Sequence, residues 1–362
     1  MKHVVTFGEI MGRMAAPENL RLRQTRTMEV TYAGAEASVA SSICNFGGSA
    51  RYVTALPKHT MADAVMDTIR SIGIDTQYIL RTDTGRLGLY FLETGANQRP
   101  SNVVYDRADS AISLASADQY DWDAIFEGAQ WLHISGITPA LSKVAAEATL
   151  TAAQKAKEAG AQVSCDLNFR KKLWNWDSSK KQRELAEETM RRILPFVDVV
   201  IANEEDCSDV LSIHAEDTDV NAGTLNTARY PDVARQVAKQ FPNVSKVAIT
   251  LRESLSASHN NWGAMVYDVE LDQPFFAPLD SEGNYQPYQI RNIVDRVGGG
   301  DSFAAGLIFS LITPELSEPQ SAVKYAVAAS CLKHSIKGDV NWSTRAEVES
   351  LMGGSTSGRV VR

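Results

Sequence analysis

Cysteine is scarce in this chain, and the four present, Cys44, Cys165, Cys207 and Cys331, stand far apart with no CxxC pair. That spacing excludes a zinc ribbon and a redox dithiol, and it reads as reduced thiols of a cytoplasmic protein. Histidine is equally thin. His3, His59, His133, His214, His259 and His334 never fall into HExxH or HxxxH spacing, so structural zinc is not expected. No apolar run approaches the ~20 residues of a membrane span, and "MKHVVTFGEI" turns polar too soon for a secretory leader. An excess of positive charge is missing as well. The 362 residues carry 36 Lys and Arg against 44 Asp and Glu, a formal net charge of −8, which disfavours nucleic acid or an anionic membrane as a partner. An anionic small molecule would have to be met by individual arginines. Internal repeats and low-complexity tracts are absent from the sequence too.

What the chain does have is a regular alternation of short apolar strands and amphipathic helices. "HVVTFG" (3–8) reads as a buried strand and "AEASVASSICNF" (35–46) as a small-residue helix packed close to a sheet. "ARYVTAL" precedes "MADAVMDTIRSIG", "AQWLHIS" precedes "PALSKVAAEATLTAAQKAKEAG", and "AQVSCDLN" precedes "SSKKQRELAEETMRRIL". "VDVVIAN" then leads into "EEDCSDVL", and "SKVAIT" closes the series at 245–250. The pattern predicts an α/β fold: a mostly parallel central sheet with helices on both faces, in three layers. The length suits one domain with insertions as well as two; the reading adopted is one domain over 1–362.

Two stretches break the rhythm, 9–32 and 85–108, and both are expected to form a small β-lid. In "GRLGLYFLETGANQRPSNVVYDRA" two alternating strands flank a Gly/Asn/Pro/Ser turn. Residues two apart share a strand face, which puts Tyr105 and Arg107 together, with Tyr90 able to face them across the hairpin. Residues 251–292 read as surface loops and short strands, and the terminal "RVVR" as a segment able to pair at a sheet edge.

The densest signal is "DRVGGGDSFAAGLIFSL", from Asp295 to Leu311. "RNIVD" should end a strand and "DSFAAGLIFSLI" should be a helix, with Gly298, Gly299 and Gly300 forming the turn between them. A helix N-terminus offers unsatisfied N–H groups and the positive end of the dipole, and glycines let an anion approach that backbone. Asp301 sits at the mouth of the same site. A carboxylate is a poor neighbour for a phosphate unless it has a chemical task, and taking a proton from an attacking hydroxyl is one. A plain turn with a helix cap would need one glycine, not three. A Walker A loop is excluded by the missing lysine, and a dinucleotide fingerprint would require glycine where Phe303 stands.

With these residues in view, the chain resembles the ribokinase-like (PfkB) carbohydrate kinases. "DRVGGGDSFAAG" is similar to their C-terminal D-T-x-G-A-G-D signature and "YAGAEASVASSICNFGG" to their N-terminal glycine signature. "SCDLNFRKKLW" and "IANEEDCSDVL" lie in the expected order between them. Together with "GEIMGRM" the pattern is most similar to 2-keto-3-deoxygluconate kinases, and the resemblance runs from Gly8 to about Asp339.

The resemblance implies roles. Asp301 matches the general base, and the amides of Gly298, Gly299 and Gly300 match the anion hole for the transferring phosphoryl group. Asn203 to Asp206 matches an N-x-x-E motif that organises Mg2+ through water, with Asp206 where glutamate is usual. Thr250 and Arg252 match a strand end that meets nucleotide phosphates, with Arg252 where glycine is common. Asp295 matches a position tied to a monovalent cation, K+, in relatives, although Arg296 and Val297 replace the usual threonine region. Gly34 matches a glycine that lets substrate approach, and Ser38 stands where asparagine is usual. Tyr90, Tyr105 and Arg107 match substrate contacts of the lid, Ile137 a contact on the pocket floor, and Arg170 an arginine near the substrate or its incoming phosphate. Asp166 is expected to orient neighbours, and Trp174 and Trp176 to pack.

The implied activity is ATP- and Mg2+-dependent phosphorylation of 2-keto-3-deoxy-D-gluconate to its 6-phosphate, by a cytoplasmic homodimer. A fructokinase or another ketose kinase remains an alternative, as does a non-catalytic sugar-binding regulatory protein on the same fold.

Overall fold

A computed structural model describes residues 2–203, 205–213 and 229–355. The terminal "RVVR", Glu204 and His214 lie outside the described residues. In chain order the strands are β1 (His3–Phe7), β2 (Met11–Ala15), β3 (Glu29–Ala33), β4 (Ala50–Val53) and β5 (Ala55–Pro57). Then come β6 (Leu80–Thr82), β7 (Leu89–Glu93), β8 (Asn102–Asp106), β9 (Ala129–Ser135) and β10 (Gln162–Asp166). The last five are β11 (Val199–Ala202), β12 (Lys246–Ser256), β13 (His259–Asp268), β14 (Gln273–Ala277) and β15 (Tyr288–Arg291).

The main sheet runs β14-β13-β12-β11-β10-β9-β1-β4, with β15 paired to β13. From β4 to β12 every pairing is parallel. Strands buried on both faces need apolar residues at successive positions, and β1 is buried throughout. Val4 joins the core on one face, with Trp131, Val199, Ile201 and Ala248. Val5 joins the core on the other, with Leu132, Val163, Val200 and Val247. Helices cover both faces, as the three-layer α/β/α reading expects. Trp174 is buried in the second of these cores and Trp176 packs against it, so both are packing residues.

Beyond Thr250 the short strands expected are present, but the expected loops give way in part to two long strands. β12 continues to Ser256, and β13 returns antiparallel beside it with its last seven residues buried. β14 and β15 extend this antiparallel wing. Thr250 therefore lies within a strand, not at its end. β15 also stops at Arg291, so Asp295 is in the turn that follows, not on a strand.

A second, four-stranded sheet, β3-β2-β7-β8, comes from the two segments that broke the rhythm. Its β7–β8 pairing sets Tyr90 opposite Tyr105. This sheet projects beyond the main one, and β5 and β6 form a short parallel pair of their own.

Candidate active site

The carboxyl ends of β1, β9, β10 and β11 converge where the strand order reverses, the place at which open α/β sheets bind ligands. A cavity of about 440 Å³ lies there, closed on one side by the small sheet and on another by the turn Val297–Gly300. Among the expected residues, Gly34, Tyr90, Tyr105, Arg107, Ile137, Arg170, Asn203, Asp206, Thr250, Arg252, Gly298, Gly299, Gly300 and Asp301 all line it. Ser38 and Asp295 do not. Ser38 is buried in its helix, where its carbonyl accepts a hydrogen bond from Ser42, and Glu36 faces the cavity instead. Glu9, Asn168, Arg296 and Asp339 also line it and were not singled out by the sequence.

The glycine turn is the floor of the phosphate end. The helix begins at Gly299, two residues earlier than expected, with Gly298 as N-cap. Its first helical bond runs from Ser302 N–H to the Gly298 carbonyl at 2.9 Å, and the Gly299 amide donates to the Arg296 carbonyl at 3.4 Å, so the amides of residues 298, 300 and 301 precede the hydrogen-bonded helix. Asp301 stands in this first turn without acting as a cap. Its carboxyl has no hydrogen-bond partner among the described residues and faces the cavity. Burial raises it to about 7, and the negative charges of Asp339 and Glu36 add to the shift. An acid with that value is half ionised near neutral pH, as a general base requires.

Asn203 and Asp206 occupy the next wall. The Asn203 Oδ1 accepts from the amides of Glu205 and Asp206 at 2.8 and 3.0 Å, just ahead of the short helix Asp206–Leu211. The Asp206 carboxylate accepts from the amides of Asn203 and Phe169, both at 3.0 Å, which ties the end of β11 to the "DLNFR" loop. Burial raises Asp206, and it raises Asp166, where Asp206 and Asp301 add like charge. Carboxylates crowded against one another favour a cation. Among the described residues no three acids, cysteines or histidines converge into a cage for one. Arg170, exposed beside these acids, lowers Asp166, Asp206 and Asp301 by its charge.

Beside the glycine turn Arg252 and Arg296 lie close enough for their charges to repel. Burial lowers the pKa of Arg296 and the charge of Arg252 lowers it further. Arg296 donates to Asn260 at 2.7 Å, and among the described residues neither arginine has a carboxylate partner. Two unneutralised guanidiniums beside a helix N-terminus form a strong anion field.

The opposite end is polar and buried. Arg107 is not a free guanidinium: its Nε donates to Glu9 at 2.7 Å and its Nη2 meets the same carboxylate, both side chains being buried. The other Glu9 oxygen is buried without a partner. Glu36 accepts from Ser135 at 2.5 Å and from Thr138, and burial raises it to about 7. The Tyr105 ring lies 6.3 Å from Tyr90 and 5.4 Å from the Arg107 guanidinium carbon. Gly34 is required by close approach: a Cβ there would stand 1.9 Å from the Glu9 carbonyl oxygen. The Tyr90 hydroxyl donates to Asp339 at 2.8 Å, and Asp339 shares Arg13 with Asp295.

A three-layer α/β/α sheet with a small projecting sheet, a partnerless acid on a glycine-rich helix start and a two-ended polar cavity defines a ribokinase-like carbohydrate kinase. Comparison with known proteins agrees. Residues 1–345 match the profile of the pfkB family of carbohydrate kinases, and the chain belongs to that family. It is 34% identical over 355 residues to the 2-dehydro-3-deoxygalactonokinase of Haloferax volcanii, covering 98% of both chains. It is 25% identical to the 2-dehydro-3-deoxygluconokinase of Bacillus subtilis, over 96% of this chain and 94% of that one. Among solved structures, the 2-dehydro-3-deoxygluconokinase of Thermotoga maritima is 44% identical, with a TM-score of 0.88 over 98% of this chain and 100% of that one.

Proposed function

We propose that this chain phosphorylates the 6-hydroxyl of 2-keto-3-deoxy-D-gluconate with ATP. The observation that carries the reading is the Asp301 carboxyl, without a hydrogen-bond partner among the described residues and set in the first turn of a glycine-rich helix start. Asp301 takes the proton of the primary hydroxyl, and the sugar oxygen attacks the γ-phosphorus in line. The bond from that phosphorus to the bridging oxygen breaks, and ADP leaves. The amides of Gly298, Gly299 and Gly300 meet the charge on the transferring group, and Arg170 adds its own. Asp206 with Asn203 would hold Mg2+, which would supply neutralisation of the phosphate charge. Thr250, Arg252 and Arg296 lie where the polyphosphate chain would run. Gly34, Ile137, Tyr90, Tyr105 and Arg107 surround the sugar, and the small sheet acts as the lid that excludes water.

An acid sugar is supported by Arg107 and by the names of the relatives at 34% and 44% identity. The substrate carboxylate would share Arg107 with Glu9, and the unpartnered Glu9 oxygen would accept a sugar hydroxyl. The galactonate epimer is a second reading, favoured by the name of the Haloferax relative. An ADP-release assay over both epimers, D-fructose and D-ribose tests this, with kcat/KM expected to be highest for the acids. Arg107→Ala should cost the acids about 10- to 100-fold, the worth of a hydrogen bond between charged groups, and cost fructose turnover less, since fructose loses only the ordering of Glu9. Equal turnover of fructose and the acids by the native chain would refute the sugar-acid reading.

The homodimer reading is supported by the outer strands of the lid, β3 and β8, which expose Val30, Val104 and Tyr105 at sheet edges. Sedimentation equilibrium should give twice the 39.6 kDa chain mass, and Val104→Lys should shift it toward monomer. A cytoplasmic location is supported by four free thiols and by the absence, among the described residues, of a helix long and apolar enough to cross a membrane.

A further inference from the structure

The monovalent cation expected at Asp295 does not fit the residues that surround it. The Asp295 carboxylate already accepts from Arg13 at 2.5 Å, from the Val297 amide at 3.0 Å and from the Gly338 amide at 3.1 Å. Its main-chain carbonyl, with that of Ile336, accepts from the Lys333 ammonium at 3.3 and 3.1 Å. Carboxylate and carbonyl oxygens are what a hard monovalent ion would need, and protein donors hold them. The other Arg13 nitrogen grips Asp339. Arg13 and Lys333 are 2% and 0% exposed, so two buried cations balance two buried acids. The void beside Asp295, about 10 Å³, is at the lower limit for a single water.

We propose that Arg13, assisted by Lys333, is a built-in replacement for the monovalent ion, a positioning residue that holds the Gly298–Gly300 turn through Asp295 and Asp339. The path is short. Asp295 holds the Val297 amide at the entrance of the turn, and the Asp339 carbonyl lies against Gly298. Arg13 stands on β2 of the small sheet, so it also couples that sheet to the phosphate floor. A guanidinium suits this place because its planar fork reaches two carboxylates and stays charged when buried. Burial works against that charge, and Asp339 and Asp295 outweigh it and raise the Arg13 pKa. Burial lowers Lys333, against the pull of the same acids.

Only the turnover arm of the test rests on the kinase reading. Thermal melting and turnover are measured in KCl, NaCl and tetramethylammonium chloride at about 0.1 M and matched ionic strength. The native chain should melt at the same temperature in all three and turn over within about twofold, because an ion that does not bind cannot stabilise. A K+-specific rise in melting temperature or a larger K+ activation would overturn the proposal. Arg13→Ala should lose kcat about 100-fold, with recovery by millimolar guanidinium or by K+. Arg13→Lys, which keeps the charge, should lose less and show no K+ response. A folded Arg13→Ala protein with native kcat, or one that neither cation rescues, would also overturn it. If Arg13→Ala fails to fold, the native-chain melting comparison decides alone. If the native chain phosphorylates nothing in any salt, the kinase reading fails and the melting comparison still stands.

Discussion

Asp301→Asn should fold, melt higher than the native chain at pH 8, and phosphorylate sugar about 10³-fold more slowly. On the proposed mechanism the activity loss follows from removing the group that takes the hydroxyl proton, for which general-base catalysis contributes ~10²–10⁴. The stability gain follows from the raised carboxyl. Burial lifts Asp301 from 3.8 to about 7, so between those values the folded chain binds a proton that the unfolded chain has released. Stability therefore falls as pH rises from about 4 through 7, and above 7 the folded state carries an ionised acid it disfavours. The amide removes that penalty while still paying for burial of a polar group, which leaves a gain of about 1–3 kcal/mol at pH 8. At pH 4 the two proteins should melt together. Differential scanning calorimetry at the two pH values reads the gap. The native kcat/KM should fall tenfold per pH unit below about 7, a limb the variant lacks. A variant less stable than the native chain at pH 8, or one with native turnover, would remove Asp301 from the role of base.

The parallel half of the fold was readable in the sequence because its strands are largely buried on both faces and must be apolar at successive positions, and β9, β10 and β11 each lead into a helix. The antiparallel wing was not. β13 opens on "HNN" and β12 ends on "RESLS", polar residues that match loop chemistry, and their strand state comes from cross-strand pairing that no local pattern encodes. The phosphate end of the site was readable for a similar reason: the glycines and the acid are neighbours in sequence and stay neighbours in space. The sugar end was only half readable. Tyr90, Tyr105 and Arg107 are linked by hairpin geometry, but the ion pair of Arg107 with Glu9 joins residues 98 apart. Arg13 reaches across 282 residues to Asp295 and 326 to Asp339. A lone arginine in "MGRMA" carries no sign of those partners. Ser38 misled because the match to a motif position fixes the helix phase, and in this helix the cavity side belongs to Glu36.

Two substitutions in one glycine run should fail for opposite reasons. Gly298 has φ +83°, in the left-handed region, and a Cβ there would stand 2.2 Å from the Asp339 carbonyl oxygen. Gly298→Ala therefore costs ~1–2 kcal/mol for the backbone alone, and the clash adds the displacement of Asp339, which anchors Arg13 and Tyr90. A total of about 3 kcal/mol or more is expected, seen as a melting temperature lower by several degrees, with turnover reduced at least ~100-fold because the turn itself moves. Gly300 is open: apart from its chain neighbours and its own helix backbone, no described atom lies within 4 Å of a Cβ built there, and it sits in the first turn of a helix. Gly300→Ala should hold or raise the melting temperature, since alanine gains ~0.5–1 kcal/mol over glycine in a helix. It should still lose turnover ~100-fold, because its methyl enters the space over the amides that the phosphoryl group needs. Melting and kcat measured on the two variants separate a glycine kept for the fold from a glycine kept for the ligand. Native turnover in a folded Gly300→Ala protein would mean that no phosphate approaches this backbone, and the site would have to be sought elsewhere in the cavity.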